Sequence, residues 1–366
     1  MFVYGVPAKG EYFFGRKVQK KEVGYFVEDS VDFMLKAPRR YGKTSLILEV
    51  LRGKKYIYLD YRRVSRPELL INEMLDQVYS LIGIEGFFKK AKKNLLSLIK
   101  EVKVSGKIDL SFFETGIEVV LADHTEEDIC VRLANALDLI DGIGEELGEK
   151  IIIVNDEFQD IKRFDCEGDV LETLRGTLQH KENIHSIFLG SIESIMTSIF
   201  EDKKSPFFNY CRKMKLAPFD SSELAKELVL KFRSKGIVFE NDKVLTELID
   251  ELGGHPGNTM LTMQHLYNIA RDSEIELIKK EHALLAYQKA YEEQIDLIEQ
   301  YVIELNNKKH YHDVMYRIAN NEKQTLTSQA LWQVRKGLEN MGHLIVVGSK
   351  EYKIVDSFLE AYLKEK

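Results

Sequence analysis

Residues Ala37-Pro38-Arg39-Arg40-Tyr41-Gly42-Lys43-Thr44 follow the apolar run Phe33-Met34-Leu35 and precede a helix-forming stretch from Ser45 to Leu51. The order fits the phosphate-loop pattern (A/G)-x-x-x-x-G-K-(S/T). No other feature constrains the fold as strongly. Such a loop works where a strand ends and a helix begins, because its backbone N–H groups and the helix N-terminus must converge on phosphate oxygens. A nucleoside triphosphate is the expected ligand, contacted by Pro38, Arg39, Arg40, Tyr41, Gly42, Lys43, Thr44 and Ser45. Gly42 lets the backbone approach the phosphates, Lys43 reaches the β/γ-phosphates, and the Thr44 hydroxyl ligates Mg²⁺. The pattern's first position is alanine, Ala37, which narrows the backbone angles open to the turn.

A loop that hydrolyses ATP needs a carboxylate near the metal and a second to activate water. Ile151-Ile152-Ile153-Val154-Asn155-Asp156-Glu157 offers both at the end of an unbroken apolar run. Such a run reads as a strand buried on both faces of a parallel sheet, and its C-terminal end is where ligands of open α/β sheets bind. Asp156 is expected to hold Mg²⁺ through its water shell, and Glu157 to accept the proton of the attacking water. A third strand, 186–190, leads to Ser191, a candidate for orienting that water from between the two motif strands. Lys55 to Asp60 reads as the second strand, with no catalytic role for Asp60.

With these residues in place, the chain resembles the archaeal-type ATPase family within the STAND/AAA+ branch of P-loop NTPases. Phe13-Phe14-Gly15-Arg16 resembles the family's F-x-G-R box beside the adenine, although the acidic position that follows is shifted here to Glu22. Pro38 to Leu46 resembles P-R-R-x-G-K-T-S-L, and Asp156-Glu157-Phe158-Gln159 resembles D-E-F-Q. Gly190-Ser191 resembles the sensor strand, and Gly254-His255-Pro256-Gly257 the G-x-P signature of a helical lid. The resemblance implies that Phe14, Gly15, Arg16, His255 and Pro256 also lie beside the nucleotide. Ser205-Pro206 through Arg212 resembles S-P-L-Y-x-R, which makes Arg212 a candidate γ-phosphate sensor in cis or in trans. The implied fold is α/β: a P-loop NTPase of AAA+ type, with a parallel sheet flanked by helices, then a helical lid and a winged helix.

A chain of 366 residues suits two or three domains. The expected division is 1–218 for the nucleotide-binding domain, with a helix and hairpin insertion over about 62–147, then 219–296 for the lid and 297–366 for the winged helix. Within the insertion, helices are expected from Pro67 to Leu81, from Phe87 to Val102 and from Glu126 to Leu147, with a hairpin over 103–121 that caps the sheet edge, guards the nucleotide or faces a partner. A formal net charge of −7 argues against indiscriminate wrapping of nucleic acid. The 3 cysteines have no paired spacing, which excludes a disulfide framework or zinc knuckle and fits a reducing cytoplasm. His310 and His312 read as a solvated pair rather than a metal site. No apolar run approaches the roughly 20 residues of a membrane span.

In the last segment, Thr327 caps a helix over 329–341, followed by a hairpin whose turn is Gly348-Ser349-Lys350. Gln329, Gln333, Arg335, Lys336 and Lys350 could face duplex DNA. Residues 297–366 carry 10 basic and 9 acidic side chains, a balance of about +1 that does not decide the matter. Duplex DNA, a protein partner and a second copy of the chain stay open. The expected function is an ATP-binding, Mg²⁺-dependent ATPase switch, with ADP as product. The alternative is a non-hydrolysing DNA- or protein-binding module that holds nucleotide structurally.

Overall fold

Strand β1 (Phe33–Lys36) is fully buried along its first three residues and stands inside a five-stranded sheet. A computed structural model describes residues 2–82, 128–165, 167–241, 243–347 and 351–365, apart from the side chains of Tyr79, Ile82 and Val347. The expected helix over 87–102, the hairpin over 103–121 and the turn with Lys350 lie outside the described residues.

Helix α1 (Lys17–Glu28) precedes β1, and α2 (Lys43–Val50) follows the glycine-lysine-threonine loop. β2 (Tyr56–Asp60) leads through a 3-10 turn (Tyr61–Arg63) to α3 (Pro67–Ile82). The described chain resumes at Asp128, whose carboxylate caps α4 (Ile129–Leu147). Then come β3 (Ile151–Asp156), α5 (Asp169–Leu178), β4 (Ile184–Gly190), α6 (Glu193–Phe200) and β5 (Arg212–Lys215). The order is β2-β3-β4-β1-β5, every pair parallel.

Because strand side chains alternate, Ile151 and Ile153 enter a core with α3, α4, α5 and α6, while Ile152 and Val154 enter another with α1 and α2. Both faces of β3 are therefore covered, which explains its unbroken apolar sequence. Among the described residues the two edges of the sheet differ. On β2 the Tyr58 N–H donates to Gln77 Oε1 at 2.6 Å, while Gln77 Nε2 donates to the Tyr58 carbonyl, so one amide stands in for a strand. β5 instead exposes Arg212, Lys213 and Lys215, whose charges oppose edge pairing.

The remainder is mostly helical: α7 (Ser221–Arg233), α8 (Lys243–Glu251), α9 (Pro256–Asp272), α10 (Lys280–Asn306), α11 (Tyr311–Ala319), α12 (Ser328–Asn340) and α13 (Ser357–Glu365). Asp220 caps α7, accepting from the Glu223 N–H at 2.8 Å. The two-residue strands β6 (Val238–Phe239) and β7 (Leu277–Ile278) pair between helices, and β8 (Leu344–Val347) pairs antiparallel with β9 (Glu351–Ile354). The division expected at 296/297 falls inside α10, and one hydrophobic core runs from Leu224 through Ile298 to Leu363. At the root of the β8–β9 hairpin, Ile345 and Val355 join the core that also holds Ala37 and Tyr41 of the phosphate loop.

Candidate functional site

The C-terminal ends of β1, β4 and β3 lie side by side and carry the phosphate loop, Ser191 and the acid pair respectively. Gly42 caps α2 with φ 80, a conformation glycine adopts freely, and a Cβ there would meet no protein atom within 4 Å. Ala37 is absent from the positive-φ residues of the loop, whereas Arg40 has φ 63. The alanine at the pattern's first position is thus accommodated, and the unusual angle falls on Arg40.

Lys43 is buried, and its ammonium donates to the carbonyls of Ala37 at 2.8 Å and Pro38 at 3.1 Å. Burial lowers its pKa, and the nearby charges of Glu157 and Asp156 offset this in part. The Thr44 hydroxyl donates to Asp156 Oδ2 at 2.6 Å, and the Tyr58 hydroxyl donates to the same oxygen. Asp156 Oδ1 accepts from the Glu157 N–H at 2.9 Å.

Glu157 has φ 53 and is buried at the start of a 3-10 turn (Phe158–Arg163), anchored where the Phe158 ring packs 4.8 Å from Phe188. Its Oε1 accepts from Arg62 Nη2 at 3.1 Å. Its Oε2 accepts from Gln159 Nε2 at 2.6 Å and from the Ser191 hydroxyl. Burial by itself would raise the Glu157 pKa, but Lys43, Ser191, Gln159 and Arg62 together hold it below the usual carboxylate value.

The hydroxyl–carboxylate pair of Thr44 and Asp156 is a hard-oxygen set of the kind Mg²⁺ takes, and these residues fit the ion. Among the described residues no three His, Cys, Asp or Glu side chains gather as a cage. The Thr44–Tyr58 side of the cluster opens into a cleft of 1000 Å³ between α2, β2 and α3.

The other residues expected beside the nucleotide make these contacts within the protein. The Ser45 hydroxyl accepts from the Ala8 N–H at 3.0 Å, fastening the N-terminal segment to α2. Arg39 is exposed, and Arg40 donates to Gln294 Oε1 on α10 at 2.9 Å. Phe14 packs in the helical core, and the Gly15 N–H donates to Glu227 at 2.9 Å. Arg16 is buried, donating to the carbonyls of Ala217 at 2.7 Å and Tyr41 at 3.2 Å, and it lies 4.6 Å from the Phe219 ring. Burial pulls its pKa down to about 10. His255 caps α9 by accepting from the Asn258 N–H at 3.1 Å, stands edge-on to Tyr41 at 5.1 Å, and precedes the buried Pro256.

Arg212 requires a correction. It opens β5 opposite Phe33, the first residue of β1, whereas the phosphate loop follows the last. A four-residue strand spans about 10 Å, so this exposed guanidinium starts at the far end of the sheet and cannot serve its own chain's γ-phosphate.

On α12, Gln329 and Gln333 are exposed. Arg335 lies 4.3 Å over the Tyr352 ring, and Lys336 lines a 240 Å³ cleft with Pro38, Ser191, Glu193 and Glu339. Motif reading missed Tyr58, Arg62 and Gln294, and gave Gln159 no role. Only Gln159 carried a local signal, standing two positions after Glu157.

The fold is similar to that of the Walker-type ATPase PABY2304 of Pyrococcus abyssi, at TM-score 0.68 and 19% identity over 97% of each chain. It is also similar to the ORC2 protein of Aeropyrum pernix, solved in ADPNP–ADP complexes, at TM-score 0.60 and 12% identity over 97% of this chain and 95% of that one. No family model matches the sequence, and neither does any curated protein. The parallel sheet, its strand order and these likenesses establish a P-loop NTPase fold with a helical C-terminal part. Among the described residues no helix is long and apolar enough to cross a membrane.

Proposed function

We propose that this chain binds ATP with Mg²⁺ at the ends of β1, β3 and β4, hydrolyses it slowly, and uses the nucleotide state to set the arrangement of its helical half. The observation that carries this reading is the 2.6 Å contact between Thr44 and Asp156, beside a lysine buried inside its own loop. With phosphates bound, Lys43 exchanges the two loop carbonyls for β/γ oxygens, a charge-assisted contact in a buried setting. Bound Mg²⁺ supplies neutralisation of charge on the phosphate oxygens. Glu157 accepts the water proton, and Ser191 and Gln159 hold the carboxylate in place for it. Slow turnover follows from the hydrogen bonds that already occupy both Glu157 oxygens.

The helical half is the output of the switch, and α11, α12, β8 and β9 form the winged-helix part. Of the side chains considered for duplex DNA, Arg335 is stacked on Tyr352 and Lys336 faces the cleft. The exposed face of α12 also carries Trp332, at 61% exposure. These features favour a protein-facing output, and salt-dependent retardation of duplex DNA by the chain would count against it.

Multiple-turnover phosphate release with Mg-ATP tests the main reading. Lys43→Ala should weaken both binding and turnover. Glu157→Gln should keep binding and lose turnover by about 10²-fold or more. Parental turnover in Glu157→Gln would remove the base role. Tight ATP binding without turnover in the wild-type chain would favour the non-hydrolysing module.

A further inference from the structure

Arg40 lies in the phosphate loop, and its guanidinium bonds to α10. It donates to Gln294 Oε1 at 2.9 Å, and the same oxygen accepts from the Tyr4 hydroxyl at 3.1 Å. A guanidinium can only donate, which fixes the orientation of the amide. Gln294 is 8% exposed, so its acceptor is largely withdrawn from water. Behind the loop, α9 closes on the Arg40 backbone: a Cβ at Gly257 would come within 2.9 Å of Arg40 Cβ.

The backbone angle gives this contact its meaning. Arg40 has φ 63, and a residue with a Cβ adopts that left-handed conformation at an energetic penalty. Loop N–H groups converge on a phosphate only while the whole loop keeps its shape. A side chain that fixes Arg40 from outside therefore raises the fraction of molecules ready to bind.

We infer that Gln294 is a positioning residue for the phosphate loop: it latches Arg40 in the left-handed conformation and ties the loop to α10. This rests on the ATP-binding reading above. The tie extends onward, because Tyr301 of α10 packs against His343 at 5.0 Å, just before β8, and Tyr291 packs against Phe358 of α13 at 5.8 Å. A loop that tightens on phosphate thus pulls on the helix against which the C-terminal hairpin and last helix rest.

The test is calorimetric titration of the full chain with Mg-ATP, paired with steady-state phosphate release. Gln294→Leu should weaken ATP binding about tenfold, as expected when the competent fraction falls to about one in ten. Turnover at saturating ATP should stay within about twofold, since the acid pair is untouched. Glycine at position 40 has no left-handed penalty, so Arg40→Gly added to Gln294→Leu should bind ATP more tightly than Gln294→Leu alone. Glycine would not rescue a helix that had merely lost packing. Should Gln294→Leu unfold, position 40 alone decides: Arg40→Ala should bind ATP about tenfold more weakly than Arg40→Gly. Wild-type affinity in Gln294→Leu, no rescue by glycine, or equal losses in Arg40→Ala and Arg40→Gly would each overturn the latch while leaving ATP binding intact. A wild-type chain that binds no ATP would overturn both.

Discussion

Arg62 donates to Glu157 Oε1 at 3.1 Å, so the carboxylate proposed to activate water has a cation on one oxygen and two neutral donors on the other. Arg62 is 56% exposed while Glu157 is 9% exposed, which makes the arginine the partner most easily withdrawn. Its charge is one of the influences holding the Glu157 pKa down. Glu157 must be ionised to act as a base. Arg62→Ala should therefore raise its pKa, move the acidic limb of the turnover–pH profile to higher pH, and raise the plateau by freeing Oε1. An acidic limb that stays in place or moves down would show that Glu157 is not the titrating base.

His255 gives a pH-dependent stability of defined sign. Burial pulls its pKa from 6.5 down to about 4. Above pH 6.5 neither the folded nor the unfolded imidazole is protonated. Between about pH 6.5 and 4 the unfolded chain binds a proton that the folded chain refuses, so stability falls with falling pH through that window. The full effect is on the order of 3 kcal/mol, at about 1.4 kcal/mol per pKa unit. Asparagine is a strong helix cap, so His255→Asn should keep the start of α9. The difference between wild type and variant in urea unfolding should then shift in the variant's favour by about 2 kcal/mol between pH 7.5 and pH 5. Parallel pH profiles would show that His255 is not held neutral.

Sequence local to the motifs revealed the strands, the loop and the acid pair, because each depends on a short apolar run and the residues right after it. The side chains that complete the site come from elsewhere. Tyr58 looks like an ordinary strand aromatic, Arg62 like a surface cation two residues past β2, and Gln294 like a polar residue on a long helix. Packing alone brings them to Asp156, Glu157 and Arg40. Arg212 misled for a related reason: its linear motif says nothing about which end of the sheet the next strand starts from. The 296/297 division had no glycine or proline to mark it because α10 continues unbroken to Asn306. β6 and β7, with two residues each, are too short to show a period of two.

Gly257 sets two opposing effects against each other. Alanine there would improve helix propensity by up to about 1 kcal/mol. The new Cβ would also come within 2.9 Å of Arg40 Cβ, and overpacking of this kind costs about 1–3 kcal/mol. The larger effect should win. Gly257→Ala is expected to lower stability by about 1 kcal/mol and weaken ATP binding several-fold by pressing the loop away from α9. Increased stability in chemical denaturation would show that the loop yields freely at this contact.

On the proposed Mg²⁺ reading, Tyr58 tunes the metal requirement. Its hydroxyl donates to Asp156 Oδ2, the oxygen that also accepts from Thr44. Burial, and then the Asp156 charge, raise its pKa far above neutrality, so the phenol remains a donor throughout the working pH range. Partners that orient a metal-binding carboxylate typically contribute about 10–100-fold to metal affinity. Tyr58→Phe keeps the ring and removes only the donor. It should raise the Mg²⁺ concentration for half-maximal phosphate release about tenfold, while ATP binding measured in EDTA stays at the wild-type value. If the Mg²⁺ dependence were unchanged, Asp156 would owe its orientation to the Thr44 and Glu157 contacts alone. A loss of ATP binding in EDTA would instead mean that Tyr58 supports the phosphate loop directly.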